Sequence, residues 1–309
     1  MIPAGTLGGT QGGTLAGIDQ PALSQIGKQC LAVLNAGEPS AKLAAVGQCA
    51  SRWLSAQAST FNDTDSGVFA DWPVASHLPD IPQRPSRLRL VRPADVPRRR
   101  LGSEAGRASL LHAIAHIEFN AIDLAFDMAA RFTPSMAAMG LNWEAFLTDW
   151  LTVGREEALH FSLINDRLSA FGLAYGDLPA HAGLWDAARQ TADSVLARLA
   201  IAPMVLEARG LDVTPTMIEK LRTHGDHDSA LILQRIYDDE IGHVAIGTSW
   251  FEGVCAKERK QPLETFHQLV AERFSGQIKP PFNVAGRAEA GLDFAFYGRL
   301  ARQETECRK

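Results

Sequence analysis

Two stretches of this 309-residue chain repeat one short pattern: residues 156–160 read Glu-Glu-Ala-Leu-His, and residues 239–243 read Asp-Glu-Ile-Gly-His. In each, a glutamate and a histidine stand three apart, Glu157 with His160 and Glu240 with His243. On a helix such a pair shares one face. The neighbours are apolar (Ala158, Leu159 and Phe161; Ile241 and Val244), and burying charged groups among them is costly unless something pairs with them. Two more glutamates sit on apolar stripes: Glu118, aligned with Leu111, Ile114, Ile122 and Ala125, and Glu207, which follows Pro203, Met204 and Leu206. The order along the chain is one Glu, a Glu-x-x-His, one Glu, a Glu-x-x-His. Four carboxylates drawn together cannot all stay ionised on their own. Two divalent cations cancel their charge, and two imidazoles favour first-row transition metals over calcium or magnesium. The spacing therefore predicts a dinuclear centre held by Glu118, Glu157, His160, Glu207, Glu240 and His243, with two iron ions expected and manganese the alternative. Glu157 and Glu240 are the expected bridging ligands.

The surroundings add expectations. A metal-bound histidine donates its other ring N–H to a carboxylate or carbonyl. Glu156 and Asp239, each four residues before a ligand histidine, are placed to receive such a bond from a neighbouring helix. Tyr237, three before Glu240, is read as a packing tyrosine near the centre, with a redox role the alternative. Gly242 is expected to remove bulk beside the metals. Pro203 should kink its helix one turn before Glu207 and open the site. His112 and His116 are assigned to the surface or to supporting bonds, because His116 points roughly 200° away from Glu118 around a helix. Asp123 and Asp127 are expected on a solvated face. Asn283 and Arg287 are read as part of a wall around the substrate.

Helical periodicity supplies the elements that must carry these groups. Residues 1–20 read as a disordered Gly/Thr-rich start. Residues 21–58 hold two short helices, at 22–34 and 39–57. Residues 59–101 form an extended arm: six prolines and seven arginines lie between Trp72 and Arg100. Residues 102–256 read as four long helices, at 103–132 (Ser103 its N-cap), 143–171, 182–209 and 227–256, with a short helix at 215–223. Gly210 is the expected stop of the third, and the Pro-Ser-Met-Ala-Ala-Met-Gly run after 133 the first turn. Residues 257–309 form a helical tail, with helices at 263–274 and 284–303. No segment alternates with period two, so the expected fold is all-α, an antiparallel four-helix bundle with a helical extension before it and helices after it.

Bulk properties exclude several classes. The net charge is -5, which argues against nucleic acid as the general partner, and 46% of residues are hydrophobic, enough for one large domain with appendages. No run of 18 apolar residues exists, so no membrane span is expected. The first residues lack a basic and apolar leader, and the four cysteines have no CxxC spacing, so a cytoplasmic protein with free thiols is expected.

The phrases "PRRRLGSEAGRASLLHAIAHIEFNAIDLA", "EEALHF", "YGDLPAHAGLWDAA", "APMVLEARGLDVTP" and "DDEIGHVAIG" resemble the bacterial family catalogued as domain of unknown function 455, from about residue 22 to 300. The resemblance implies a ferritin-like fold around a dinuclear metal. A more distant similarity is to the di-iron hydroxylase that modifies methylthio-isopentenyl adenosine in tRNA. The expected function is a di-iron oxidoreductase that uses O2 or peroxide on a small-molecule substrate, with an electron donor where O2 is used, working as a monomer or dimer. A ferroxidase or iron-handling protein is the second reading. The third is a tRNA-associated hydroxylase-like protein contacting phosphates through the 84–100 arm.

Overall fold

The computed structural model describes residues 20–58, 69, 71–73, 77–96 and 100–306. The predicted disordered start, apart from Gln20, lies outside them. The described chain is all-α: its one β-bridge joins Leu90 to Ala180. The helices are α1 (Gln20–Asn35), α2 (Pro39–Ala58), α3 (Glu104–Ala138), α4 (Trp143–Ser169), α5 (Gly183–Gln190), α6 (Val195–Ile201), α7 (Ala208–Thr223), α8 (His227–Glu258), α9 (Pro262–Arg273), α10 (Val284–Glu289) and α11 (Phe294–Glu306). A π-helical turn, Ala202–Glu207, joins α6 to α7. None of these helices is long and apolar enough to cross a membrane.

Helix α3 is the centre of the molecule. It packs along α4 and also against α1, while α8 packs on α4, α6 and α7. Because α3 has neighbours on every side, its apolar and small residues run all round it instead of forming one stripe. Ser103, Asn142 and Asp226 cap the starts of α3, α4 and α8 by accepting backbone N–H bonds from Gly106, Ala145 and Ser229. Close helix approach uses glycine where a side chain has no room. A Cβ on Gly154 of α4 would lie 2.6 Å from the Phe126 ring of α3.

Two boundaries differ from the sequence reading, both at prolines. Helix α3 continues through Pro134 to Ala138 instead of turning after 132. Pro134 has no N–H to give the carbonyl of Ala130. The Trp72 indole N–H, from the Pro-rich arm, donates to that carbonyl at 2.7 Å. In the same way the third bundle helix does not stop at Gly210: it runs on through Pro215 to Thr223. The carbonyl that Pro215 leaves without its donor, Leu211 O, accepts from the Asn283 side chain at 3.1 Å. The expected helix 182–209 is also broken at its start, where residues 191–194 separate α5 from α6.

The arm lies against the bundle rather than reaching away from it. Arg87 and Arg92 pair with Asp177 and Asp95, and two side-chain nitrogens of Arg84 are buried. Arg98 and Arg99, in the basic run offered for phosphate contacts, lie outside the described residues. Asp123 and Asp127 are fully buried, not solvated. Asp123 pairs with Lys42 of α2, and Asp127 with Arg131 and Arg198. A charge stripe on a helix with neighbours all round must be paired internally, and these basic groups do that.

Candidate metal centre

Helices α3, α4 and α8 bring predicted groups to the same place: Glu118 from α3, Glu157 and His160 from α4, and Glu240 and His243 from α8. Glu118, Glu157, His160 and Glu240 each offer a ligand atom, and those atoms lie within 4.8 Å of one another. Glu157 is central. Its two oxygens lie 3.4 Å from His160 Nδ1 and 3.0 Å from His243 Nδ1. Glu118 lies 3.4 Å from His160 Nδ1, and Glu240 lies 3.8 Å from His243 Nδ1. Glu207 ends the π turn, with one carboxylate oxygen buried and without a hydrogen-bond partner. The two imidazole rings are 5.8 Å apart, centre to centre.

The outer edges of the rings are cross-braced. His160 of α4 has its Nε2 3.0 Å from Asp239 of α8, and His243 of α8 has its Nε2 2.9 Å from Glu156 of α4. The residue that precedes each Glu-x-x-His therefore supports the histidine of the other. Arg235 in turn donates to Asp239 at 2.6 Å. That arginine was not singled out in the sequence, although its signal, an Arg four residues before an Asp on one helix face, was present.

A family profile described as "Protein of unknown function (DUF455)" matches residues 35–298. The chain belongs to this family. An uncharacterized protein of Haemophilus influenzae is 43% identical over 222 residues, which cover 72% of this chain and 77% of the relative. No solved structure matches.

In this DUF455 member, the cluster has the electrostatics of a site that demands positive charge. Burial raises the carboxyls of Glu118, Glu207 and Glu240 above the usual range, and neighbouring glutamates push them further the same way. Burial acts upward on Glu157 too, but bonding to His160 and His243 overcomes it and holds that carboxyl below the usual range. For His160, burial acts downward; Glu118 and Glu157 outweigh it and bring the imidazole to about 11. His243 rises as well, through Glu156, Glu157 and Glu240, against burial. Protons are one way to supply the charge these groups ask for, and metal cations are another.

The donor set fits a metal. Oxygens of Glu118, Glu157, Glu207 and Glu240, and the Nδ1 atoms of both histidines, are buried without an aligned hydrogen bond. Such orphans are rare in folded proteins unless an ion or water completes them. The braces at Nε2 leave both Nδ1 atoms facing carboxylate oxygens, the orientation in which a neutral imidazole binds a cation. A buried Glu/Glu/His/Glu group that could hold a metal ion is thus present, with His243 and Glu207 beside it.

Other predicted residues lie elsewhere. Gly242 faces solvent, with open space around it, so it makes no room for metals. On the same helix the crowded glycine is Gly247, where a Cβ would lie 2.3 Å from the Pro203 ring. This contact seats the π turn that carries Glu207 against α8. His112 and His116 are buried rather than at the surface. They anchor the 172–183 loop, His116 through Tyr175 and the His181 carbonyl, His112 by accepting the Gly176 N–H. Tyr237 accepts a hydrogen bond from Asn283. Arg287 is buried in a two-bond pair with Asp212. Asn283 and Arg287 therefore fasten the tail to α7 and α8.

Proposed function

We propose that this protein is a dinuclear-metal oxidoreductase of ferritin-like architecture, with Glu118, Glu157, His160, Glu207, Glu240 and His243 holding two iron ions. The observation that carries the reading is the crossed pair of braces, Asp239 to His160 and Glu156 to His243, which turn both free imidazole nitrogens onto a ring of partnerless carboxylates. Calcium and magnesium prefer all-oxygen sites, so the two nitrogens favour a transition metal. When bound, such a metal pair supplies redox chemistry with O2 or peroxide on a small-molecule substrate. The chain's own part is positional. Glu157, whose two oxygens face both imidazoles, would contribute to holding both ions. Glu240, whose carboxylate is 3.8 Å from His243, and Glu207, at the end of the π turn, would complete the set. Glu157, His160 and His243 are themselves fully buried, which keeps bulk water from them. The reading places the protein in the cytoplasm, where the facing thiols of Cys30 and Cys49, 3.9 Å apart, stay reduced.

Metal analysis of protein purified without oxygen tests this. Two equivalents of iron per chain are expected, with Glu157→Ala and Glu240→Ala each losing most of it. Metal retained by both variants at the parent level would overturn the assignment. Iron handling would replace the oxidoreductase reading if the protein elutes as a many-subunit shell and releases ferric ion after exposure to air. A monomer or dimer that consumes O2 only with an added reductant and substrate supports it.

A further inference from the structure

Between Leu110 and Ala130, α3 is buried at every position except Ala113, which is half-buried, and Ile117, which is 50% exposed. An exposed isoleucine in the middle of the central helix marks where the surrounding shell opens. It opens into a cleft of about 1090 Å³, walled by α5 on one side and by Leu206, Arg209 and the 274–276 segment on the other. That volume is slightly above the usual range for small-molecule sites, about 300–1,000 Å³.

Two residues of the cleft wall are the sequence neighbours of proposed metal ligands. Ile117 immediately precedes Glu118, and Leu206 immediately precedes Glu207. Neighbouring Cα atoms are about 3.8 Å apart, so the backbone of this wall is the backbone that carries the two single glutamates. Leu206 is moreover part of the π turn, whose irregular backbone is a common device at functional sites.

The lining has a definite chemistry. Ile117, Leu184, Leu206 and Phe274 make it apolar, while its arginines, Arg131, Arg189, Arg198 and Arg209, outnumber its carboxylates, Asp80 and Asp186. Acids behind the wall do not restore balance. Asp127 is shared by Arg131 and Arg198, and Asp212 by Arg209 and Arg287. Arg189 is exposed and forms no ion pair among the described residues.

We infer that this cleft binds an amphipathic anion, an apolar body bearing a carboxylate or a phosphate, with the body against Ile117 and Leu206 and the charge on the arginines. Naming that molecule as the substrate rests on the dinuclear reading; the binding itself does not. Titration calorimetry on the full chain with decanoate, decyl phosphate and the uncharged decanamide tests it. One of the anions is expected to bind at one site per chain, ~10-fold or more tighter than decanamide, the size of one hydrogen bond to a charged group. Whichever anion binds tighter identifies the head group. Arg189→Glu is expected to weaken the anion ~10-fold while leaving decanamide within about twofold. Ile117→Trp, which puts a larger side chain into the cleft, is expected to weaken all three. The inference is overturned if decanamide binds as well as the anions, if nothing saturates, or if a folded Arg189→Glu variant binds the anions unchanged. Metal content measured on the same samples separates the two readings. Two equivalents of metal without anion binding sinks this inference alone, and anion binding without metal sinks the dinuclear centre alone.

Discussion

At the scale of single residues, the charges that matter come in crossed or shared arrangements. His160 and His243 each depend on a carboxylate from the opposite helix, and such supporting bonds typically carry ~10–100-fold in metal affinity. Glu156→Ala and Asp239→Ala are each expected to weaken metal binding by that order, in competition against a chelator. Asp238→Ala, at an exposed residue one position away that bonds to Gln234, should not change it. Equal behaviour of all three would remove the bracing role. Asp127 tests a different site. Burial raises its carboxyl, but the guanidiniums of Arg198 and Arg131 outweigh burial and hold it below the usual aspartate range. A depressed carboxyl stabilises the fold fully above its unfolded value, near 3.8, and loses that contribution as pH falls through the lower folded value. Asp127→Asn leaves Arg198 buried and underpaired, which costs about 3–5 kcal/mol at neutral pH. In urea unfolding, the gap to the parent should hold down to pH about 4 and narrow below it, as the parent's own Asp127 takes up a proton.

At the scale of elements, the sequence was most legible where the signal is local. The spacing of three in each Glu-x-x-His places both groups on one helix face whatever packs around them, and Ser103 caps α3 through its own N3 region. What failed to show was any boundary decided by a distant partner. Pro134 and Gly210 read as stops and Pro215 as the start of a separate helix, yet the helices pass through all three. The reason lies in two side chains from outside the four-helix core, Trp72 and Asn283, which take the carbonyls that the two prolines cannot serve. The buried state of Asp123 and Asp127 was hidden for the same reason, since Lys42 and Arg198 are 81 and 71 residues away in sequence. This account predicts a coupling. Trp72→Phe keeps the ring but strands the Ala130 carbonyl, a loss of about 1–3 kcal/mol. Pro134→Ala restores a backbone N–H to that carbonyl. In a Pro134→Ala background, Trp72→Phe should therefore cost less than in the parent, by about 1 kcal/mol in a urea-unfolding cycle. Additive losses would show that the indole N–H serves no such purpose.

At the scale of the whole molecule, the parts outside the four-helix core are its missing walls. Helix α1 covers one side of α3 and α2 packs on α1 and α4; together they add Cys30, Val33, Cys49 and Trp53 to the same core. The tail does the corresponding work on α7 and α8 through Arg287 and Asn283. The deepest fastening of the front part is the Lys42–Asp123 pair, both side chains fully buried. Burial lowers the Lys42 ammonium and pushes the Asp123 carboxyl up to about 7, each only partly offset by the other. Both shifts disfavour the charged forms, so the pair specifies where α2 docks without adding much to stability. Lys42→Met alone leaves Asp123 with only the more distant Arg84, and Asp123→Leu alone leaves the ammonium on the Val33 carbonyl and the Phe119 face. Each single change should cost about 3–5 kcal/mol, while the Lys42→Met/Asp123→Leu double variant should return to within about 1 kcal/mol of the parent or exceed it. Metal content provides the second reading of the same variants. Asp123 stands on the α3 face away from Glu118, so a folded double variant should keep its metal. If it unfolds as readily as either single variant, the buried pair holds the molecule together through its charges, and α2 docks by attraction rather than by fit.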